Sequence, residues 1–370
     1  MRLLICAGGT GGGVYPALAA LQALQGSVHS ILWVGGENGF EAGLLARAGI
    51  PFTTIPAAGI HGVGIWFLFQ NLWRIARGVL SSRRILQEFQ PDVLFFTGGY
   101  LAVPMALAGR HIPTLLYVPD IEPGLALKFI ARFADRIAVT AEESRAFFPR
   151  RTDVVVTGYP TRPDLKNWHR DQARAHFNLD PELPTLLVFG GSLGARSINR
   201  ALLGSLPQFL QICQIIHISG ELSWSEVETA RNQLPSNLAS RYHPYPYLHD
   251  EMGAALASAD LVISRAGASS LGELPLFGLP AILVPYPHAW RYQRLNAEYL
   301  TQRGGAIILD DNLLTDRLFS LTSELLTDNN RLGAMRQAMH TMARPLASEE
   351  LADQLRSLAG AHRKNTGGMA

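Results

Sequence analysis

Short apolar runs recur along the whole chain: LLICA, ILWVG, VLFFTGG, TLLYV and RIAVT in the first half, then TLLVFGG, IIHIS, LVISR, AILVPY and AIIL in the second. Longer stretches with helical spacing separate them. Strands that are apolar on both faces belong in parallel sheets covered by helices on either side, so the pattern predicts an α/β chain.

The pattern also repeats. Residues 3–12 (LLICAGGTGG) echo residues 186–194 (LLVFGGSLG) as strand, glycine pair, hydroxyl residue and further glycine, so both halves open on the same strand–loop–helix unit. Tyr159-Pro160-Thr161-Arg162-Pro163 and a second proline-containing stretch at 180–184 put a linker near 160–184. We expect a first domain over 1–160 and a second over 161–345. Residues 318–358 carry apolar positions at intervals of three and four, broken at Arg344-Pro345. A terminal helix over about 346–362 is therefore expected to cross back to the first domain, ahead of a frayed HRKNTGGMA tail.

Composition narrows the class. With 370 residues, 48% hydrophobic and 17% charged, the chain is a folded protein long enough for two cores. A net charge of +2 gives no case for nucleic acid. Cys6 and Cys213 lie in apolar runs without CxxC spacing and read as buried thiols in a reducing compartment. The opening MRLLICAGGTGGG reads as a first strand, not a signal peptide. The run 63–72 (VGIWFLFQNL) is too short for a bilayer, which takes about 20 residues, so no spanning helix is expected.

Four segments carry candidate chemistry. GGTGGG at 8–13 departs from GxGxxG, because Val14 stands where the third glycine should be. Such a loop either brings backbone amides to a phosphate or simply makes a tight turn, and both readings stay open. GGSLGARS at 190–197 repeats the arrangement, with Ser192 offering a hydroxyl. In 264–290, Ala268, Ser269 and Ser270 can present amides to a diphosphate and Glu273 can accept from ribose hydroxyls, while Ser270 and Glu273 also have capping-box spacing. Gln293 and Asn296 lie three apart on one helical face and either read sugar hydroxyls or face solvent. Residues 65–86 combine Trp66, Phe67, Phe69 and Trp73 with Arg74, Arg77, Arg83 and Arg84, a composition suited to a peripheral membrane patch or, for some of the aromatics, to the core.

Taken together, the GGTGG loop, GGYLAVP at 98–104, GYPTR at 158–162, GGSLGARSIN at 190–199, RAGASSLGE at 265–273 and Gln293 with Asn296-Ala297 resemble the MurG family, in order and over almost the whole chain. The resemblance implies a GT-B fold, two Rossmann-like domains with parallel sheets facing across a cleft. It also implies inverting transfer of N-acetylglucosamine from UDP-N-acetylglucosamine to undecaprenyl-diphosphate-linked muramoyl pentapeptide, lipid I to lipid II, in peptidoglycan synthesis at the cytoplasmic face of the cell membrane. No metal, cofactor or covalent intermediate is implied. Residue by residue, Thr10, Gly11 and Gly12 belong to the first loop, and Arg162 and Ser192 border the donor. The donor segment maps onto Ala268, Ser269, Ser270, Leu271, Gly272 and Glu273, with Glu273 on the ribose, Gln293 and Asn296 toward the sugar, and the Leu248 backbone on the uracil.

Two departures fall on the acceptor half. Gly13 stands where the family's loop has a histidine, GGTGGH, the leading candidate for deprotonating the acceptor hydroxyl. Tyr117-Val118-Pro119-Asp120 replaces HEQN, whose side chains line the same cleft. Asp120 and Glu122 are the nearest carboxylates for a substitute base, a role that needs a pKa raised by partial burial. The alternatives are an enzyme with a different lipid-linked acceptor or a UDP-sugar-binding paralogue without turnover. A nicotinamide dehydrogenase fails on the missing GxGxxG and on Gly35-Gly36 where a ribose-binding acid is needed, whereas a sugar-nucleotide epimerase would share the two-domain fold and the UDP site.

Overall fold

The computed structural model describes residues 1–8, 11–37, 41–58, 65–191, 194–288 and 291–367, without the side chains of 65–69 and 362–367. The chain forms two compact units, Met1–Thr161 with Pro345–Ala370, and Arg162–Arg344.

The first unit begins with β1 (Arg2–Cys6), α1 (Gly11–Ala23), β2 (Ser30–Gly36), α2 (Glu41–Arg47), β3 (Phe52–Ile55), α3 (Ile65–Phe89) and β4 (Val93–Phe96). It continues through α4 (Val103–Ala108), β5 (Thr114–Val118), α5 (Leu125–Ile130), β6 (Arg136–Val139) and β7 (Val154–Val156). The strands pair in parallel in the order β3-β2-β1-β4-β5-β6-β7. Successive residues of a strand point to opposite faces, and both faces are covered. Leu3, Ile5, Phe95 and Leu115 enter one core, while Leu4, Cys6, Leu94, Phe96 and Leu116 enter the other. That double burial is why the strands read as unbroken apolar runs rather than as alternation.

The second unit follows the same plan. It contains α6 (Arg170–His176), β8 (Thr185–Phe189), α7 (Arg196–Gly204), α8 (Leu206–Ile212), β9 (Gln214–Ile218), α9 (Trp224–Asn232), α10 (Ser236–Ala239), β10 (Tyr242–Tyr245) and α11 (Met252–Ser258). Then come β11 (Leu261–Ser264), α12 (Ser270–Phe277), β12 (Ala281–Leu283), α13 (Tyr292–Gln302), β13 (Ala306–Ile308), α14 (Leu314–Thr327) and α15 (Asn329–Met342). Its parallel sheet has the order β10-β9-β8-β11-β12-β13.

A last helix, α16 (Ala347–Gly367), lies in the first unit. Leu351, Ala352, Leu355 and Ala359, spaced along one helical face, are buried in the same core as Leu3 and Ile5. Each leucine so buried is worth about 1.5–3 kcal/mol. Arg356 adds bonds to the Ala23 carbonyl at 2.7 Å and the Ser27 hydroxyl at 3.1 Å.

Three strands are absent from the sequence reading: β3 (FTTI), β7 (VVV) and β10 (YHPY). All three are sheet edges; β3 and β10 mix polar residues into four-residue runs, and β7, though apolar throughout, is only three residues long. β10 even contains Pro244, which an edge tolerates because the missing N–H costs no ladder bond on its open side.

The internal repeat has a topological meaning. In each sheet the order reverses beside the strand that opens the repeat, at β1/β4 in the first and β8/β11 in the second. Crevices at the carboxyl ends of strands at such switch points are where open α/β sheets take ligands. Among the described residues no helix is long and apolar enough to cross a membrane.

Candidate active site

At the switch point of the second unit the loop after β8 turns tightly into α7. The Gly194 amide donates to the Gly191 carbonyl at 2.9 Å, and both residues have positive φ, 76° and 86°. A side chain at Gly194 would collide with the Ser219 carbonyl, so the loop closes directly onto the turn after β9. Ser192 lies outside the described residues.

Across the switch, the turn between β11 and α12 is held at both ends. Arg265 donates to Asp311 at 2.6 Å, to the Val284 carbonyl at 3.2 Å and to the Ser197 hydroxyl at 2.7 Å, while Ser197 donates to Asp311 at 2.8 Å. Because Ser197 sits in the first turn of α7, this network ties the β8 loop to the β11 turn.

The capping-box expectation is corrected: among the described residues no side chain caps the start of α12. Ser269, not Ser270, is the N-cap position, and its hydroxyl is the hydrogen-bond partner of Glu273. Ser270 opens the helix and donates instead to the Arg265 carbonyl at 3.2 Å. The Ser270, Leu271 and Gly272 amides are spent on the carbonyls of Gly267, Ala268 and Ser269. Among the described residues no acceptor meets the Gly267, Ala268 and Ser269 amides, so Ala268 and Ser269 are among those left to an anion in this turn.

Glu273 lies in the first turn of α12. Burial pushes its carboxyl from the ordinary 4.5 up to about 7, against the opposing pull of Arg162 and of the Ser269 hydroxyl, with Asp164 adding a smaller upward push. Arg162 also reaches the His249 carbonyl at 3.5 Å, next to buried Leu248. The structure thus gathers Arg162, Leu248, Ala268, Ser269 and Glu273.

Gln293 and Asn296 separate in role despite sharing a helix. Gln293 is half-buried and its Oε1 accepts from the Tyr286 amide at 2.9 Å, which fixes the side chain with its amide nitrogen as the end that can donate to a hydroxyl. Asn296 is fully buried and donates to the Ala266 carbonyl at 3.1 Å. It braces the β11 turn from below rather than facing solvent or a sugar.

In the first unit Gly11 and Gly12 begin α1, and Thr10 lies outside the described residues. The Thr97 hydroxyl donates to the Gly13 carbonyl at 2.6 Å, and a Cβ at Gly13 would stand 2.7 Å from the Thr97 carbonyl oxygen. α1 therefore approaches the end of β4 more closely than any side chain at 13 permits. Tyr117 and Val118 are interior strand residues. The Tyr117 hydroxyl lies 2.9 Å from that of Thr140 and 3.2 Å from the Gly158 carbonyl, so it braces β5 and β6 instead of lining a cleft. Asp120 follows β5 and is half-buried. Glu122 is 3% exposed and paired with Lys128 at 2.9 Å, an arrangement that already spends its charge.

Sequence reasoning missed Glu41. This fully buried carboxylate in the first turn of α2 accepts from the Gly36 amide at 3.2 Å and packs against Gly8 and Gly35. It pins the loops after β1 and β2 together. The only signal was an acid at a helix start, which more often faces water.

Two parallel-sheet units with loop-to-helix turns at their switch points fit the GT-B class, and the family matches make the chain a nucleotide-sugar glycosyltransferase. The glycosyltransferase family 28 N-terminal domain matches residues 3–139 and its C-terminal domain residues 185–351. The chain belongs to the MurG family. It is 38% identical to the UDP-N-acetylglucosamine--N-acetylmuramyl-(pentapeptide) pyrophosphoryl-undecaprenol N-acetylglucosamine transferase of Roseiflexus sp. (strain RS-1), covering 97% of this chain and 95% of that one. It is likewise 38% identical to the protein of that name from Desulforudis audaxviator (strain MP104C), with 97% and 99% covered. The crystal structure of Acinetobacter baumannii MurG superposes with a TM-score of 0.77 at 28% identity, over 96% of this chain and 99% of that one.

Proposed function

We propose that this chain transfers N-acetylglucosamine from UDP-N-acetylglucosamine to undecaprenyl-diphosphate-linked muramoyl pentapeptide with inversion, converting lipid I to lipid II. The observation that carries the reading is the gathering of Arg162, the Leu248–His249 backbone, the Ala268 and Ser269 amides and Glu273 in one unit. In this reading Glu273 accepts from the ribose hydroxyls, Gln293 donates to the sugar, and Arg162 with the two amides meets the charge that develops on UDP as it leaves. The acceptor hydroxyl attacks the anomeric carbon from the opposite face, the bond to UDP breaks, and a base takes the hydroxyl proton. Of the two carboxylates considered, Asp120 suits that step better, because it is half-buried and within reach of an acceptor, whereas Glu122 is 3% exposed.

The test is turnover of UDP-N-acetylglucosamine with a lipid I analogue, the parent chain beside Asp120→Asn. Disaccharide formed by the parent, with kcat reduced and donor KM unchanged in the variant, is expected. Donor binding without product in the parent would sink the catalytic reading.

Contact with the membrane is peripheral in this proposal and runs through α3. Trp73 and Leu80 are 68% and 59% exposed, and Arg77 and Arg84 share their helical face at intervals of three and four. The opposite face is packed through Ser82 and Leu86. The side chains of Trp66, Phe67 and Phe69 lie outside those described. Aromatic and aliphatic groups beside arginines suit the interface of an anionic bilayer. Sedimentation with anionic vesicles should fall about tenfold for Trp73→Ser/Leu80→Ser, as the loss of two interfacial apolar anchors implies. Unchanged sedimentation would remove α3 from the membrane surface.

A further inference from the structure

Below the β8 loop lies a chain of buried polar side chains that the proposed chemistry does not use. His217, on β9, is fully buried. Its Nδ1 stands 2.7 Å from the Tyr242 hydroxyl on β10 and its Nε2 3.0 Å from Asn199 Oδ1 on α7. The Asn199 amide nitrogen in turn donates to the Ser219 carbonyl at 2.8 Å.

The direction of this chain is forced. The Asn199 nitrogen is spent on a carbonyl, so its oxygen must accept, and His217 must carry its proton on Nε2. His217 Nδ1 is then the acceptor for the Tyr242 O–H. Burial lowers the imidazole from 6.5 to about 3, so the ring stays neutral and the tautomer holds. At the far end is the Ser219 carbonyl on which Gly194 closes. The Asn199 backbone N–H bonds the Ala195 carbonyl at 2.9 Å, so one residue touches both the floor of the loop, through its side chain, and its exit, through its main chain.

We propose that His217 is a positioning residue for the donor: through Asn199 it fixes the Ser219 carbonyl, and with it the backbone of Gly194 and its bond to Gly191, beside which the diphosphate of a nucleotide sugar is received. This rests on the reading of that loop as part of the donor site. A residue with this role acts on donor binding and leaves acceptor binding alone.

The experiment titrates the full chain with UDP-N-acetylglucosamine and measures steady-state kinetics for the parent, His217→Phe, His217→Gln and Tyr242→Phe, each checked for folding at the assay temperature. His217→Phe should raise donor Kd and KM about tenfold, the size of a buried hydrogen bond, with saturated kcat and acceptor KM unchanged. His217→Gln, which can still donate to Asn199, should recover most of the loss. If His217→Phe does not fold, Tyr242→Phe, which removes a single hydroxyl, should still weaken donor binding several-fold. Unchanged donor Kd in the folded variants, or an equal loss toward acceptor, overturns the inference while the donor site stands. Failure of the parent to bind UDP-N-acetylglucosamine overturns the donor-site reading and this inference with it.

Discussion

Glu273→Gln is expected to move donor binding and stability in opposite directions. The carboxylate is the form that accepts from ribose hydroxyls, and a charge-assisted bond is worth about 1.5–3 kcal/mol, so the amide should weaken UDP-N-acetylglucosamine about tenfold to a hundredfold at pH 8. Without ligand the same carboxylate is a burden. Its folded pKa, about 7, lies above the ordinary 4.5, so the folded state holds the proton more tightly than the unfolded chain between those values. The contribution to stability is therefore complete below pH 4.5 and is lost as pH rises through 7. Two and a half units set an upper bound of about 3 kcal/mol. Glu273→Gln should flatten that slope and unfold at higher temperature than the parent at pH 8. In the parent, donor affinity should fall as pH drops below 7, because the carboxyl must give up its proton to bind. Thermal unfolding and donor titration between pH 5 and 8 check both signs; a variant with parental donor affinity would take Glu273 out of the site.

Gly13→His is expected to damage the first unit without improving turnover, although the MurG family's pattern has histidine at this position. Replacing a helical glycine normally gains about 0.5–1 kcal/mol. Here the new Cβ would meet the Thr97 carbonyl oxygen at 2.7 Å, and backbone cannot give way as a flexible side chain can. Overpacking costs about 1–3 kcal/mol, more than the helix gains. Gly13→Ala should already lower the unfolding temperature, and Gly13→His should lower it further with kcat no higher than the parent's. A stable Gly13→His chain with raised kcat would mean that α1 and β4 can separate and that the base is simply missing. The expected result instead makes the glycine part of a closer packing, in which the base has to come from elsewhere.

The sheets were legible in the sequence because buried parallel strands leave a one-dimensional mark: Leu3 to Cys6 and Leu186 to Phe189 are apolar at every position since each faces a core. Edge strands leave a weaker mark, and β10 with Pro244 leaves almost none. The residues gathered around the β11 turn could be named in advance, but the division of labour among them could not. Ser269 and Ser270 differ only in where α12 starts, and helix starts are the least readable boundary in a sequence. Asn296 and Gln293 look alike on a helical wheel, yet only the position of Ala266 decides that one of them is a brace. Glu41 was missed because a polar residue in a sequence reads as surface, whereas His217 lies inside IIHIS, a run that reads as a buried strand, and was missed because its partners Asn199 and Tyr242 lie elsewhere in the chain.

The seating of α16 on the core built from β1 and β4 sets an order on the making of this protein. Residues 1–161 emerge from the ribosome first, but the groove over Leu3 and Ile5 stays uncovered until Leu351 and Leu355 have been synthesised. The second unit has all its own core residues by then. In a living cell the half translated first is therefore the half completed last, and for the time it takes to translate nearly two hundred further residues it presents a strip of leucine, isoleucine and valine to whatever chaperone or neighbouring chain is at hand.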